Sequence, residues 1–456
     1  MKYRYRNDEE MKDSGVKWIG QIPKDWEVKR NKYLLSEINI KNDTNDENLL
    51  SVSEYYGVAL RKDKMAEDEY LTRAESLEGY KVCKKDDLVM NIMLAWKKAM
   101  GVSEYNGIVS PAYCIYRKKE NISMKYYHYL FRTDLYANIF KQYSTGIIDS
   151  RLRLYPEKFL SLYSHNPNIE KQEKIANFLD EKTSQFDSII SKKEELIKKL
   201  EEAKKSLISE VVTGKVKVVK NDDGYELVKR SSDEMKDSGV EWLGEIPKDW
   251  EVKNFKHMFT LNKGLSITKA DLKESGIPCV NYGEIHSKYR FELKPSKHKL
   301  KYVDESYLKS NSISLLNYGD FVFCDTSEDI EGCGNFTSLN ENNKVFAGYH
   351  TIIARTLEQV NYRYMSYLFD SNDWRIQIRT KVSGVKVFSI TQSILKGTKV
   401  ILPDLLEQND IAQYLDSRCN GINFAIDKTK LQIDKLKEAK QSLISEAVTG
   451  KIEILD

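Results

Sequence analysis

The sequence predicts an α/β (α+β) protein shaped as a dumbbell: two mixed sheet-and-helix heads separated by two long antiparallel coiled-coil helices, related by a pseudo-twofold axis. Three observations predict it. The stretch MKDSGVKWIGQIPKDWEVKR at residues 11–30 returns as MKDSGVEWLGEIPKDWEVKN at 235–254, differing only at Lys17/Glu241, Ile19/Leu243, Gln21/Glu245 and Arg30/Asn254. A second pair, 175–215 (IANFLDEKTS to SEVVTGK) and 411–451 (IAQYLDSRCN to SEAVTGK), aligns without a gap. Between these shared pieces the two halves diverge, so one frame carries two sets of loops.

Each element follows in order. The chain of 456 residues exceeds one ordinary core at about 150 residues per domain. The repeats divide it into a first head at 1–168, a long helix at 169–214, a linker at 215–234, a second head at 235–403 and a second long helix at 404–450. In the heads, KKDDLVMNIM (84–93) matches NYGDFVFCDT (317–326), turn residues and an Asp leading into an apolar strand. GIVSPAYCIYR (107–117) matches KVFAGYHTIIAR (344–355), and Asn106-Gly107 before the first of these predicts a hairpin turn. SMKYYHYLFRTDLYANIFKQY from Ser123 and NYRYMSYLFDSNDWRIQIRTK from Asn361 each predict one helix behind an N-capping residue, ending at the turns Ser144-Thr145-Gly146 and Val382-Ser383-Gly384.

In the second repeat apolar residues recur at three-four spacing: Phe186, Ile190, Ile197, Leu200, Ala203 and Leu207, matched by Ile422, Ile426, Ile433, Leu436, Ala439 and Leu443. That is a narrow seam of the kind a partner helix buries. Gly214 and Gly450 in VTGK mark helix stops. A run of about 36 residues, roughly 54 Å of helix, outgrows a small head. A helix leaving head one must be answered by a helix returning from head two, hence the antiparallel bar; a parallel coiled coil between two chains is the other geometry.

The chemistry is expected to be binding. There are no adjacent prolines for a base-flipping amino-methyltransferase loop, no G-x-x-x-x-G-K-[ST], and no H-E-x-x-H among six histidines, and GCGNFT (332–337) lacks the third glycine of a dinucleotide fingerprint. Cys324, Cys333 and His350 could hold a metal but lack the close pairing of zinc sites. The six cysteines show no C-x-x-C and read as reduced, buried thiols. Neither a signal peptide nor an apolar run of about 18 residues occurs, so a cytoplasmic protein with no membrane association is expected.

With a net charge of only +3, any nucleic-acid surface must be local. Candidate DNA-binding residues are Lys97, Lys98, Thr145, Arg151 and Arg153 in the first head, and Lys263, Arg290, Arg375, Arg379, Lys381 and Lys386 in the second. Arg375 and Arg379 are four apart and share a helical face, the arrangement a phosphate contact needs.

The paired GVxWxGxIPKDWEVK entries, the LISEVVTGK/LISEAVTGK helix ends and the LPDLLEQNDIAQYL helix start resemble the specificity subunit of a Type I restriction-modification system, over almost the whole chain. One departure is the first helix start, SHNPNIEKQEKIANFLD, which lacks the proline-rich entry of its counterpart although Gln172 matches Gln408. The resemblance implies two target recognition domains, each reading half of a bipartite, asymmetric site in double-stranded DNA, with the helices setting the spacer. It also implies no catalysis and no cofactor in this chain: two modification subunits carry S-adenosylmethionine for adenine N6 methylation, and restriction subunits use ATP and Mg to cut DNA. A tandem scaffold for a non-DNA ligand and a self-sufficient DNA-modifying enzyme are the alternatives.

Overall fold

The computed structural model describes residues 2–43, 48–63, 77, 79–222, 224–384 and 386–455. They form two compact units, residues 1–194 with 430–456, and 195–429. Each unit therefore holds one head and a part of both long helices, Ile169–Val212 and Leu405–Val448.

In the first unit an antiparallel four-stranded sheet runs in the order Met100–Val102, Leu88–Asn91, Tyr113–Lys118, Leu35–Ile38. Its side chains alternate across the pleat. Leu88, Met90, Cys114 and Tyr116 face a large core with the helices Met124–Phe131, Asp134–Tyr143 and Pro156–Ser161. Val89 and Ile115 face a smaller one with Leu50, Val52, Cys83 and Val109.

The second unit has a five-stranded sheet in the order Phe259–Lys263, Thr351–Thr356, Phe321–Cys324, Phe336–Leu339, Phe291–Leu293, whose last pair is parallel. Its core is aromatic, with Phe255, Phe259, Phe321, Phe323, Phe336, Phe369 and Trp374 in mutual contact.

The two sequence repeats exist because they pack on each other. In the first unit Ile22 and Trp26 of IPKDW join a core with Ala447 and Val448, the end of the second long helix. In the second unit Ile246 and Trp250 join Val211 and Val212, the end of the first. The glycine after each helix is left-handed, φ +77 at Gly450 and +76 at Gly214, and a Cβ there would stand 2.5 Å from Pro23 or 2.4 Å from Pro247. Only glycine fits both demands. Gln172 and Gln408 do matching work: their Oε1 atoms accept the N–H of Ser123 (2.8 Å) and Asn361 (2.9 Å), and their Nε2 atoms donate to Pro167 O and Pro403 O. Each fastens the start of a head helix to the start of a long helix.

The long helices run antiparallel in each unit. In the first, Lys440 Nζ pairs with Asp187 (2.7 Å) and Lys193 Nζ donates to Gln432 (2.7 Å). In the second, Lys204 Nζ donates to Asn423 (2.9 Å). Among the predicted seam residues Ile190, Ile426, Ile433 and Leu443 are buried, while Phe186, Ile197, Leu200, Leu207, Ile422 and Leu436 are half-buried. Ala203 and Ala439, expected in the seam, are exposed; the half-buried side chains at that level are Lys204 and Lys440. An α-helix drifts against a three-four repeat, and here the long, paired lysines cover the gap.

Three further expectations change. Asn106-Gly107 closes no hairpin: Gly107–Val109 pairs with Lys81–Cys83, whereas Met100–Val102 pairs with Leu88–Asn91. Gly107 serves close approach, since a Cβ would stand 2.3 Å from Asn48 O. Each predicted head helix is two, broken at Thr133 and Ser371, whose hydroxyls cap the N–H groups of Tyr136 and Trp374. The stretch expected to be a linker holds the hairpin Val216–Asn221/Gly224–Lys229. In that hairpin Val218 opposes Leu227; in the first unit the corresponding pair, Tyr3 and Ile454, joins the strands Tyr3–Tyr5 and Ile452–Ile454.

Candidate nucleic-acid interface

Each head ends its second helix in a loop hinged on an extended-to-left-handed glycine. In the first, Thr145 and Arg153 exchange backbone hydrogen bonds (2.9 and 3.0 Å) and close the loop 145–153. Gly146, φ +151, lies so near the returning strand that a Cβ would meet Arg151 O at 2.6 Å. Thr145 and Arg151 are exposed and Arg153 is half-buried, its Nη1 donating to Arg151 O (3.0 Å). Ile147, at the tip, is 100% exposed. Beside the loop Lys141 pairs with Asp149 and stands 4.7 Å above the Trp96 ring, on which Lys97 also rests at 5.3 Å. Lys97 is exposed; Lys98 is held by Asp134 (2.7 Å) and occupies a left-handed conformation, φ +67.

The second head repeats the device with other residues. Gly384, φ +157, lies against Val387 O, where a Cβ would stand 2.1 Å away. Lys386 and Val387 are exposed on this loop, and Lys381, exposed at its start, donates to Gly397 O (3.2 Å). Lys263 is exposed at the end of the sheet-edge strand Phe259–Lys263.

Arg290, Arg375 and Arg379 meet elsewhere in this head, on a cleft of about 730 Å³ that Lys205, His286 and Asn335 also line. Arg290 is exposed and pairs with Asp370 (2.5 Å). Arg379 donates to Glu331 O (2.9 Å) and pairs with its carboxylate (3.2 Å). Arg375 does not share that outward role: it is 3% exposed and donates to Cys333 O, Glu331 O and Asn335 Oδ1. Burial, reinforced by Arg290, holds its guanidinium down to about 10. The i, i+4 pairing with Arg379 is present, but the face they share turns inward at Arg375 to clasp the 331–335 loop.

Sequence reasoning missed the first head's counterpart. Arg132, also held down to about 10 by burial, donates to Lys98 O (2.9 Å), Met100 O (2.7 Å), Glu54 O and Tyr55 O (both 3.1 Å). It thereby fixes the tip of the hairpin Leu50–Ser53/Gly57–Leu60, whose Tyr55 is 84% exposed. The only sequence signal was an Arg in the middle of an apolar helical run.

The Cys324 and Cys333 thiols face the carbonyls of Tyr282 and Asp329, and among the described residues no group of three His, Cys, Asp or Glu side chains could hold an ion. All six cysteines are free and buried, as expected. No described helix is long and apolar enough to cross a membrane.

Comparison with known proteins agrees with this architecture. Residues 247–434 match the Type I restriction modification DNA specificity domain. The Type I restriction enzyme MjaVIII specificity subunit of Methanocaldococcus jannaschii is 24% identical over 447 residues, 95% of this chain and 94% of the relative. The StySPI specificity subunit of Salmonella potsdam is 20% identical, covering 80% and 75%. Among solved structures, a chain from a study of complex assembly and conformational transition of the type I R-M system superposes with a TM-score of 0.68 at 13% identity, covering 94% of this chain and 99% of that one. The HsdS subunit from Thermoanaerobacter tengcongensis gives 0.52 at 14% identity, covering 94% and 98%. Over most of its length the chain is thus similar to Type I restriction-modification specificity subunits, and residues 247–434 carry the match to their DNA specificity domain.

Proposed function

We propose that the two heads read the two halves of a split, asymmetric site in double-stranded DNA, and that the chain itself performs no catalysis. The carrying observation is the duplicated frame with unlike glycine-hinged loops: Thr145, Arg151 and Arg153 in one head, Lys381, Lys386 and Val387 in the other. Equal frames position; unequal loops discriminate. Exposed Lys and Arg neutralise phosphates, while Thr145 and the apolar tip residues stand where base edges and thymine methyls would be met.

On this reading the helices set the unread spacer and carry the partners. Ile189 and Phe424, 45% and 70% exposed on them, are apolar side chains that a protein partner would cover. Two modification subunits would bring S-adenosylmethionine and flip the target adenines, and restriction subunits would bring ATP and Mg. Lengthening both helices by one turn is expected to lengthen the spacer and leave both half-sites unchanged.

The binding surface is tested by salt dependence. Replacing Lys97, Arg151 and Arg153 together with Ala is expected to lower affinity and flatten the plot of log K against log salt, by about 0.9 for each phosphate left without its cation. An unchanged slope would mean the first loop faces away from DNA. Salt-independent binding of the unaltered protein would favour a non-DNA ligand instead.

A further inference from the structure

The two heads satisfy one buried tryptophan differently. In the second unit Trp250 Nε1 donates to Glu407 Oε2 (2.8 Å), and Arg230 Nη2 donates to Glu407 Oε1 (2.5 Å), its guanidinium lying 5.7 Å above the Trp250 ring. One carboxylate from the first turn of the long helix thus answers two donors. The first unit repeats the donors, Trp26 for Trp250 and Arg6 for Arg230, but the position of Glu407 holds Lys171.

Lys171 cannot accept, and it is turned to Asp25. Trp26 is 1% exposed and its indole N–H has no partner; the Nε of Arg6 is likewise buried and unpartnered. The Nε of Arg230 shares that fate, so the indole N–H is what separates the two heads. Arg6 Nη1 lies 3.3 Å from Glu453. A buried N–H without an acceptor costs about 1–3 kcal/mol, and Trp26 is one of the residues lining a cavity of about 230 Å³, with Arg6, Lys171, Lys174, Glu170 and Glu453. Around this volume three cationic side chains, of which Arg6 is paired with Glu453 and Lys171 with Asp25, outnumber the two carboxylates Glu170 and Glu453, and the orphan indole N–H lacks the acceptor its counterpart has.

We propose that this cavity binds a carboxylate, which accepts from Trp26 Nε1 beside Arg6 as Glu407 does beside Arg230 in the other head. An acidic side chain of a protein partner and a free carboxylate present the same chemistry. The site would respond in one head only, because the second head supplies its own carboxylate.

The test uses the full chain with ¹⁵N-labelled tryptophan, titrated with acetate against chloride at constant ionic strength. The Trp26 indole resonance, identified by its loss in Trp26→Phe, is expected to move downfield and saturate while that of Trp250 stays. In Lys171→Glu the same resonance should sit downfield already and ignore acetate, which also identifies it if the Phe variant folds poorly. Adding the modification subunit distinguishes the sources: a downfield shift without acetate identifies a protein carboxylate, and a shift with acetate alone identifies a free one. Two results overturn the proposal. One is a Trp26 resonance that moves no more than the other indoles; the other is an upfield move in Glu170→Gln without acetate, showing that the chain satisfies the donor itself. DNA takes no part, so failure here is separate from failure of the DNA reading.

Discussion

Gly450→Ala and Gly214→Ala should each destabilise their unit by about 2–4 kcal/mol, read as a fall in the thermal or denaturant midpoint. Two costs add. A left-handed φ near +77 strains any residue with a Cβ by about 1 kcal/mol, and that Cβ would overlap Pro23 or Pro247 at 2.5 or 2.4 Å, with overpacking worth about 1–3 kcal/mol more. Proline rings are stiff and Trp26 and Trp250 close the space behind them, so the site cannot yield. Gly421 is the internal control, inside the second long helix with nothing near its Cβ position. Gly421→Ala is expected to stabilise by about 0.5–1 kcal/mol. Equal effects at all three positions would show that the repeated motifs do not interlock as described.

Arg375→Ala should also act on stability, lowering that of the second unit by about 3 kcal/mol. Removing the guanidinium strands the carbonyl of Cys333 and the amide oxygen of Asn335, and leaves Glu331 O with Arg379 alone. Arg375→Lys should recover part of the loss, since an ammonium replaces the charge but not the planar fork. Lys381→Ala, at an exposed lysine with one carbonyl contact, should change stability by under about 0.5 kcal/mol. If Arg375→Ala instead weakened DNA binding with the unfolding midpoint unmoved, the side chain would be a DNA contact and the loop clasp would be wrong.

These residues also show what sequence alone discloses. The repeats identified the frame, because IPKDW and VTGK are kept for packing on one another, and the spacing of Ile190, Ile426, Ile433 and Leu443 revealed the helix seam. Which side chains reach solvent was not legible: Lys97, Arg151 and Lys386 are exposed and Arg375 is buried, and no periodicity distinguishes an Arg turned inward from one turned out. Arg375 and Arg132 are therefore visible only once the loops they clasp are in place. Asn106-Gly107 misled for a related reason, since glycine allows both tight turns and close strand approach, and only tertiary contact with Asn48 decides between them. Thr133 and Ser371 carried a cap signal overridden by the apolar pattern on either side. The pairing of Tyr3–Tyr5 with Ile452–Ile454 joins strands about as far apart as the chain allows, which a local reading does not reach.

The central claim is that one chain reads two unlike half-sites through two like heads. Its most direct test is a genome-wide map of N6-methyladenine in a host without adenine methylation, expressing this chain with its modification subunit. The account predicts a split, asymmetric motif with an unread spacer, absent when either protein is omitted and altered in one half only when the 145–153 loop is replaced. A motif unchanged by that replacement, or methylation by the modification subunit alone, would contradict it.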